Sequence, residues 1–186
     1  MAETRRGLLK KTLGGAALLA AAGAVPVALR GTKLRELPPG TPLQFFTPAE
    51  YSIWAAVADR VLAEEKPSGA PGAAQVDVAG RADAFLAPLP ETDRKDLKRL
   101  LALFDNALFS AVQGGPARTF TAMSPQEQDA HLRRWQTSRF ALQRTGYQAM
   151  KRLCCALYFS DPQTYASVGY PGPPYELVRS VLGASR

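Results

Sequence analysis

Two adjacent cysteines, Cys154 and Cys155, are the residues best suited to chemistry in this sequence. On a helix they point to different faces, because neighbouring residues project about 100° apart. A bond between neighbours would also distort the peptide that joins them, so an intrachain disulfide is not expected. Cys154 falls on an apolar stripe with Tyr147 and Met150, and this pattern predicts a buried, inert thiol.

Cys155 falls on a second stripe with Arg144 and Lys151, which Arg133 joins if the helix is unbroken. Nearby cations favour a thiolate, although the negative end of the helix dipole opposes them. Cys155 is therefore the first choice for a disulfide to another chain, with Cys154 the second choice. A half-buried, inert Cys155 is the alternative. An enzyme that uses Cys155 as a redox thiol is disfavoured, because no resolving cysteine and no base are suitably placed.

The other groups that could do chemistry are sparse. The single His131 lies between alanine and leucine on an arginine-rich segment, and we expect it at the surface or in an interface rather than in catalysis. Glu64 and Glu65 are adjacent and are expected to be solvated at a helix end. The sequence contains no CxxCH haem site, no GxGxxG loop and no GxSxG nucleophile motif. No recognisable active site remains.

The basic stripe is interleaved with the aromatic residues Trp135, Phe140 and Tyr147. Arginine with aromatics is typical of protein interfaces, so this face predicts contact with an acidic partner surface. A solvated helix face is the commoner alternative.

The chain opens with MAETRRGLLK, in which Arg5 and Arg6 precede an apolar run that is rich in Ala and Gly. Paired arginines at this place predict a twin-arginine export signal. The small residues at 22–24 predict a cleaved signal peptide over residues 1–24; an uncleaved anchor is the alternative, since Pro26 follows the cleavage point. Outside the signal 19 basic and 15 acidic residues remain. This mild excess does not indicate a nucleic-acid partner.

Residues 25–44 contain several prolines and no helical period, so they predict an extended linker that tethers the signal to the domain. Residues 45–186 predict a single compact, all-α domain of about five to six helices. Two capping boxes, at Thr47–Glu50 and Ser124–Glu127, mark helix starts. Behind the first box, one apolar stripe is formed by Tyr51, Trp54, Val57, Ala58, Val61 and Leu62.

Five further helical segments are predicted after the first. A short helix is predicted over about 77–86. A long amphipathic helix begins at Glu91 and is closed by Gly114, and its apolar face includes Leu108 and Val112. The helix after Ser124 runs to Phe159 with a break near 137–138, Asp161 caps a short helix, and a weak helix ends the chain.

The segments FFTPAEYSIWAAVADRVL and YFSDPQTYASVGYPGP resemble the two ends of the gluconate 2-dehydrogenase subunit 3 family. The resemblance runs from about Phe45 to Pro174. The family often has a proline where this chain has Ala63, so the end of the first helix is left open. No family cysteine matches Cys154 or Cys155.

The resemblance implies a non-catalytic small subunit of a FAD-dependent dehydrogenase of the glucose-methanol-choline type, which oxidises a sugar, sugar acid or alcohol. It implies no cofactor in this chain, FAD in the partner, haem c in a multihaem cytochrome, and export of the pair to the periplasm by the twin-arginine translocase. The alternative is a stand-alone, membrane-tethered periplasmic protein that binds a ligand between its helices. The residues we select for docking the partner are Trp135, Arg144, Lys151, Tyr170 and Pro171.

Overall fold

The computed structural model describes residues 31–38 and 42–172, and this part of the chain contains seven α-helices and no strand. The all-α prediction is therefore confirmed. The predicted signal and the weak C-terminal helix lie outside the described residues. The helices are α1 (Pro48–Glu65), α2 (Val78–Leu86), α3 (Glu91–Phe104), α4 (Ala107–Val112), α5 (Pro125–Gln136), α6 (Ala141–Phe159) and α7 (Pro162–Tyr165).

Helix α1 lies at the centre of the domain and begins at the predicted capping box. Thr47 Oγ1 accepts a hydrogen bond from the Glu50 amide at 3.2 Å, and the Glu50 carboxylate accepts one from the Thr47 amide at 2.8 Å. The second box, Ser124–Glu127, starts α5 in the same way. The predicted apolar stripe of α1 is buried along its whole length. Helices α2 and α6 pack on it, and α5 packs on α6.

The predicted long helix from Glu91 to Gly114 is wrong, because the chain breaks between Phe104 and Ala107. Asn106 caps α4, with its Oδ1 accepting the Phe109 amide at 2.9 Å. Such a cap competes with continuation of the helix. Because α4 is redirected, Val112 is 85 % exposed instead of extending the buried face. Gly114 does adopt the left-handed conformation expected of it, with a φ of 75°.

Residues 31–38, which fall within the predicted linker, form no helix or strand and lie against the helical domain. The Thr32 hydroxyl donates to Asp105 Oδ2 at 2.6 Å, and the Lys33 amide donates to the Thr121 hydroxyl at 3.0 Å. The Arg35 amide donates to the Ser52 hydroxyl at 2.9 Å. These long-range contacts fix the linker against the helical domain.

Asp83 of α2 holds the chain just before α1. Its carboxylate accepts hydrogen bonds from three successive backbone amides, those of Gln44 at 2.7 Å, Phe45 at 3.0 Å and Phe46 at 2.6 Å. Asp83 is only 3 % exposed, and both phenylalanine rings are buried. One side chain therefore sets where the chain enters the core.

The predicted break after α5 is confirmed, since α5 ends at Gln136 and α6 begins at Ala141. Gly146 allows α6 to approach its neighbours closely: a Cβ there would lie 2.8 Å from Leu100 Cδ1 and 3.4 Å from the Trp135 ring. Asp161 caps α7 as predicted, its side chain accepting the Gln163 amide at 2.9 Å. None of the described helices is both long enough and apolar enough to cross a membrane.

Candidate functional site

Both cysteines lie on α6 as free thiols, Cys154 buried and Cys155 half-buried. Burial raises the pKa of the Cys154 thiol. Burial also raises the pKa of Cys155, with the Glu65 charge adding to the effect and Lys151 opposing it. Lys151 does favour the Cys155 thiolate, as expected, but burial and Glu65 together outweigh it. Ala63 lets α1 continue to Glu65, whose carboxylate pairs with Lys151 at 2.6 Å; Glu65 is thus not merely a solvated end residue.

We expect Cys155 to react slowly with Ellman's reagent at neutral pH, because its raised pKa leaves little thiolate. Cys154 should react only after unfolding, since it is fully buried. The measurement is the time course of thiol release with and without denaturant. The variant Cys155→Ser isolates the Cys154 signal. Fast labelling of native Cys155 at neutral pH would contradict the expectation and revive the redox-thiol interpretation.

The residues selected for docking do not form one surface. Trp135 is 0 % exposed and cannot contact a partner, which corrects that selection. A large aromatic ring contributes most to stability when it is buried in the core. Lys151 is half-buried and paired with Glu65. Arg144 is exposed near the start of α6, whereas Tyr170 and Pro171 are exposed beyond its end. Some 16 residues of helix, about 24 Å, separate the two ends.

His131 is buried at 1 % exposure, so the expectation of a surface or interface histidine is wrong. Its ring packs on Phe104, with 4.8 Å between centroids, and on Phe120, with 5.4 Å. Burial, together with the nearby charge of Arg134, lowers the pKa of His131 to about 3. The signal for burial was present: His131, Leu132 and Trp135 recur at helical spacing on α5.

We expect folding stability to fall as pH drops from about 6.5 toward 3, because the unfolded chain protonates His131 and the folded chain does not. The slope from this group approaches about 1.4 kcal/mol per pH unit. Urea unfolding across this range should show a smaller slope for His131→Leu. Asp105, whose pKa burial raises, contributes the opposite slope in both proteins. Parallel profiles for the two proteins would contradict the prediction.

A groove opens where α4, α5 and the start of α6 meet, with a volume of about 380 Å³. We call it the α4–α6 groove. Its lining includes the apolar side chains of α4, a phenylalanine at the start of α6, two arginines and one buried amide. These residues are Phe109, Val112, Arg134, Arg139, Phe140 and Gln143.

The polar atoms of this groove are poorly satisfied by the part of the chain that the structure describes. The Nε and Nη2 atoms of Arg134 are buried without a hydrogen-bond partner there, and burial lowers the pKa of its guanidinium. Gln143 is 2 % exposed; its Oε1 accepts the Ser138 hydroxyl, and its Nε2 finds no acceptor among the described residues. Among the described residues, the groove therefore has unpaired hydrogen-bond donors in its wall and no carboxylate.

Sequence reasoning missed the groove because it treated α3 and α4 as one helix. A continuous helix would have placed Val112 in the core, far from the α5–α6 loop. The signal that was available is Asn106, a preferred N-cap residue in the middle of an apolar period. Within residues 31–38 and 42–172, no cluster of His, Cys, Asp or Glu is suited to hold a metal ion.

Residues 48–172 match the family model described as gluconate 2-dehydrogenase subunit 3. No curated protein and no solved structure matches the chain. The matched region spans all seven described helices and all but the outermost residues of the two segments that carried the resemblance. The chain therefore belongs to the gluconate 2-dehydrogenase subunit 3 family.

Proposed function

We propose that this chain is the non-catalytic small subunit of a FAD-dependent dehydrogenase of the glucose-methanol-choline type, which it binds and helps to mature. The observation that carries the proposal is the family match over residues 48–172, since that family is named for a dehydrogenase subunit. The partner, which oxidises a sugar, sugar acid or alcohol, supplies the catalytic site. FAD is held by the partner, and haem c by a cytochrome that accepts the electrons.

Two features of the described residues support a non-catalytic role. His131, the single histidine, is buried and has a pKa of about 3, so it does not exchange protons near neutral pH. Cys155 has a raised pKa, which disfavours a nucleophilic thiolate. What the domain does present is exposed apolar and cationic surface around the α4–α6 groove, which suits contact with another protein.

We further propose that Arg5 and Arg6 address the complex to the twin-arginine translocase and so to the periplasm. This pathway carries folded proteins, and a flavoprotein that binds FAD before export needs such a route. The signal on the small subunit then serves the partner. A large flavoprotein without a signal of its own, encoded in the neighbouring reading frame, is the partner this proposal expects.

The test is co-expression of that flavoprotein with this chain, without it, and with an Arg5→Lys, Arg6→Lys double variant. Periplasmic protein, bound FAD and dye-linked dehydrogenase activity are measured for each. We expect all three to be high only with the unaltered chain. The double variant should leave an assembled, FAD-loaded complex in the cytoplasm, which separates export from maturation. Equal export, flavin content and activity with and without the chain would overturn the proposal.

A further inference from the structure

The α4–α6 groove carries unbalanced positive charge. Arg134 comes from α5 and Arg139 from the loop that follows, and none of the described residues that line the groove is acidic. Neither arginine pairs with a carboxylate within the described ranges. A cation whose nitrogens are withdrawn from water without a counter-charge is costly. An occupant that brings a carboxylate would remove this cost and gain charge-assisted hydrogen bonds.

The buried amide of Gln143 adds an independent indication. Gln143 lines the groove; its Oε1 accepts the Ser138 hydroxyl, while its buried Nε2 has no acceptor among the residues described. Buried donors are nearly always paired, and each unpaired one costs about 1–3 kcal/mol. An oxygen in the groove would satisfy Gln143 and Arg134 together.

Apolar side chains flank these donors and point to a macromolecular occupant. Val112 and Phe140 both line the groove, and they are 85 % and 41 % exposed. The Arg139 guanidinium lies 4.8 Å from the centroid of the Phe140 ring, which holds it at the edge of the groove. Arginine and aromatic side chains around a groove are the residues that dominate binding energy in protein interfaces.

From these observations we infer that the α4–α6 groove docks a segment of the large subunit in which an Asp or Glu lies between apolar side chains. The carboxylate meets Arg134, Arg139 and the Gln143 amide, and the apolar neighbours cover Val112 and Phe140. This inference rests on the proposed function, and it names the surface and the chemistry by which the partner is held.

Charge and position favour a segment of the large subunit over two other occupants of the groove, a second copy of this chain and its own C-terminal residues. A second copy of this chain docking groove to groove would bring the arginines of both copies together. The chain's own residues 173–186 carry one glutamate and two arginines and follow Gly172, at the other end of α6 from the groove. Both occupants are distinguished by the experiment below.

The experiment places the photo-crosslinking residue p-benzoylphenylalanine at Val112 of the full chain, co-expressed with the flavoprotein, and maps the adduct by mass spectrometry. Val112 is so exposed that this change should not disturb folding. We expect an adduct with a peptide of the large subunit that contains Asp or Glu. An adduct with a second copy, an adduct with residues 173–186, or no adduct would overturn the inference. The same residue at Phe85 of α2, which is 58 % exposed, is the matched control and should yield far less adduct.

Affinity measurements on purified subunits give a second readout. Arg139→Glu and Val112→Asp are each expected to raise the Kd for the flavoprotein about tenfold or more, whereas Arg152→Glu on the exposed face of α6 should leave it within about twofold. Reversing the crosslinked acidic residue of the partner should restore binding to Arg139→Glu. If the unaltered chain does not bind, the proposed function fails as well; if it binds and the groove variants bind equally, the docking inference alone fails.

Discussion

Replacing Asp83 by alanine is expected to lower the free energy of unfolding by about 3–5 kcal/mol. The Asp83 carboxylate accepts the amides of Gln44, Phe45 and Phe46, and alanine leaves all three without an acceptor. The two phenylalanine amides are buried, so water cannot replace the lost bonds. In thermal melts the midpoint should fall by roughly 10–20 °C for a domain of this size.

Two control variants separate this mechanism from the loss of a charge. Asp83→Asn keeps one acceptor oxygen at the same place and should cost less than alanine. Asp96→Ala removes a carboxylate whose exposed pair with Arg99 contributes at most about 1 kcal/mol. Equal melting temperatures for Asp83→Ala and Asp96→Ala would show that the hydrogen bonds from Asp83 to the chain before α1 do not stabilise the fold.

The variant Trp135→Ala is expected to destabilise the domain by about 3–5 kcal/mol, because it opens a cavity among rigid neighbours. The Trp135 ring is 0 % exposed and meets Phe104 edge-on, with 4.8 Å between centroids, and Phe109 at 6.3 Å. Gly146 brings the backbone of α6 against the same ring. The cavity would therefore lie at the junction of α3, α4, α5 and α6. Urea unfolding monitored by circular dichroism measures the loss.

Trp135→Phe is the matched control, because it keeps an aromatic ring in the same site. It should recover a large part of the lost stability and bind the flavoprotein with an affinity close to that of the unaltered chain. Stability unchanged in Trp135→Ala would contradict the assignment of Trp135 to the core. A large loss of affinity in a stable Trp135→Phe variant would return Trp135 to the docking surface.

The helices that the sequence predicts well are those whose signals are local. The capping boxes at Thr47 and Ser124 combine start residues with an apolar period, and both act within a few residues of one another. The break at Asn106 was missed because two local signals conflict there. The apolar period favours a continuous helix, whereas the Asn106 side chain caps a new one, and the cap prevails. The position of the linker could not be predicted, since Thr32 and Asp105 are 73 residues apart.

The candidate site was harder to predict than the fold, because residue type does not give burial. Trp135 and Arg144 were chosen together for their chemistry, yet one is enclosed and the other is exposed. His131 shows the same difficulty. The apolar spacing along α5 places it on the buried face of the helix, whereas the usual chemistry of histidine suggested a surface position. The α4–α6 groove forms where three helices meet, and the sequence of a single segment does not predict how helices pack against one another.

The docked linker has a mechanical consequence for export. Under the proposed role, the translocase acts on the leader, and the pull reaches the domain at the contacts of Thr32, Lys33 and Arg35. These hydrogen bonds are accepted by Asp105, Thr121 and Ser52, three side chains that are themselves buried. Load applied there is shared among α1, α3 and the segment before α5. A flavoprotein bound at the α4–α6 groove would then be exported together with a domain that is pulled through contacts to its own core.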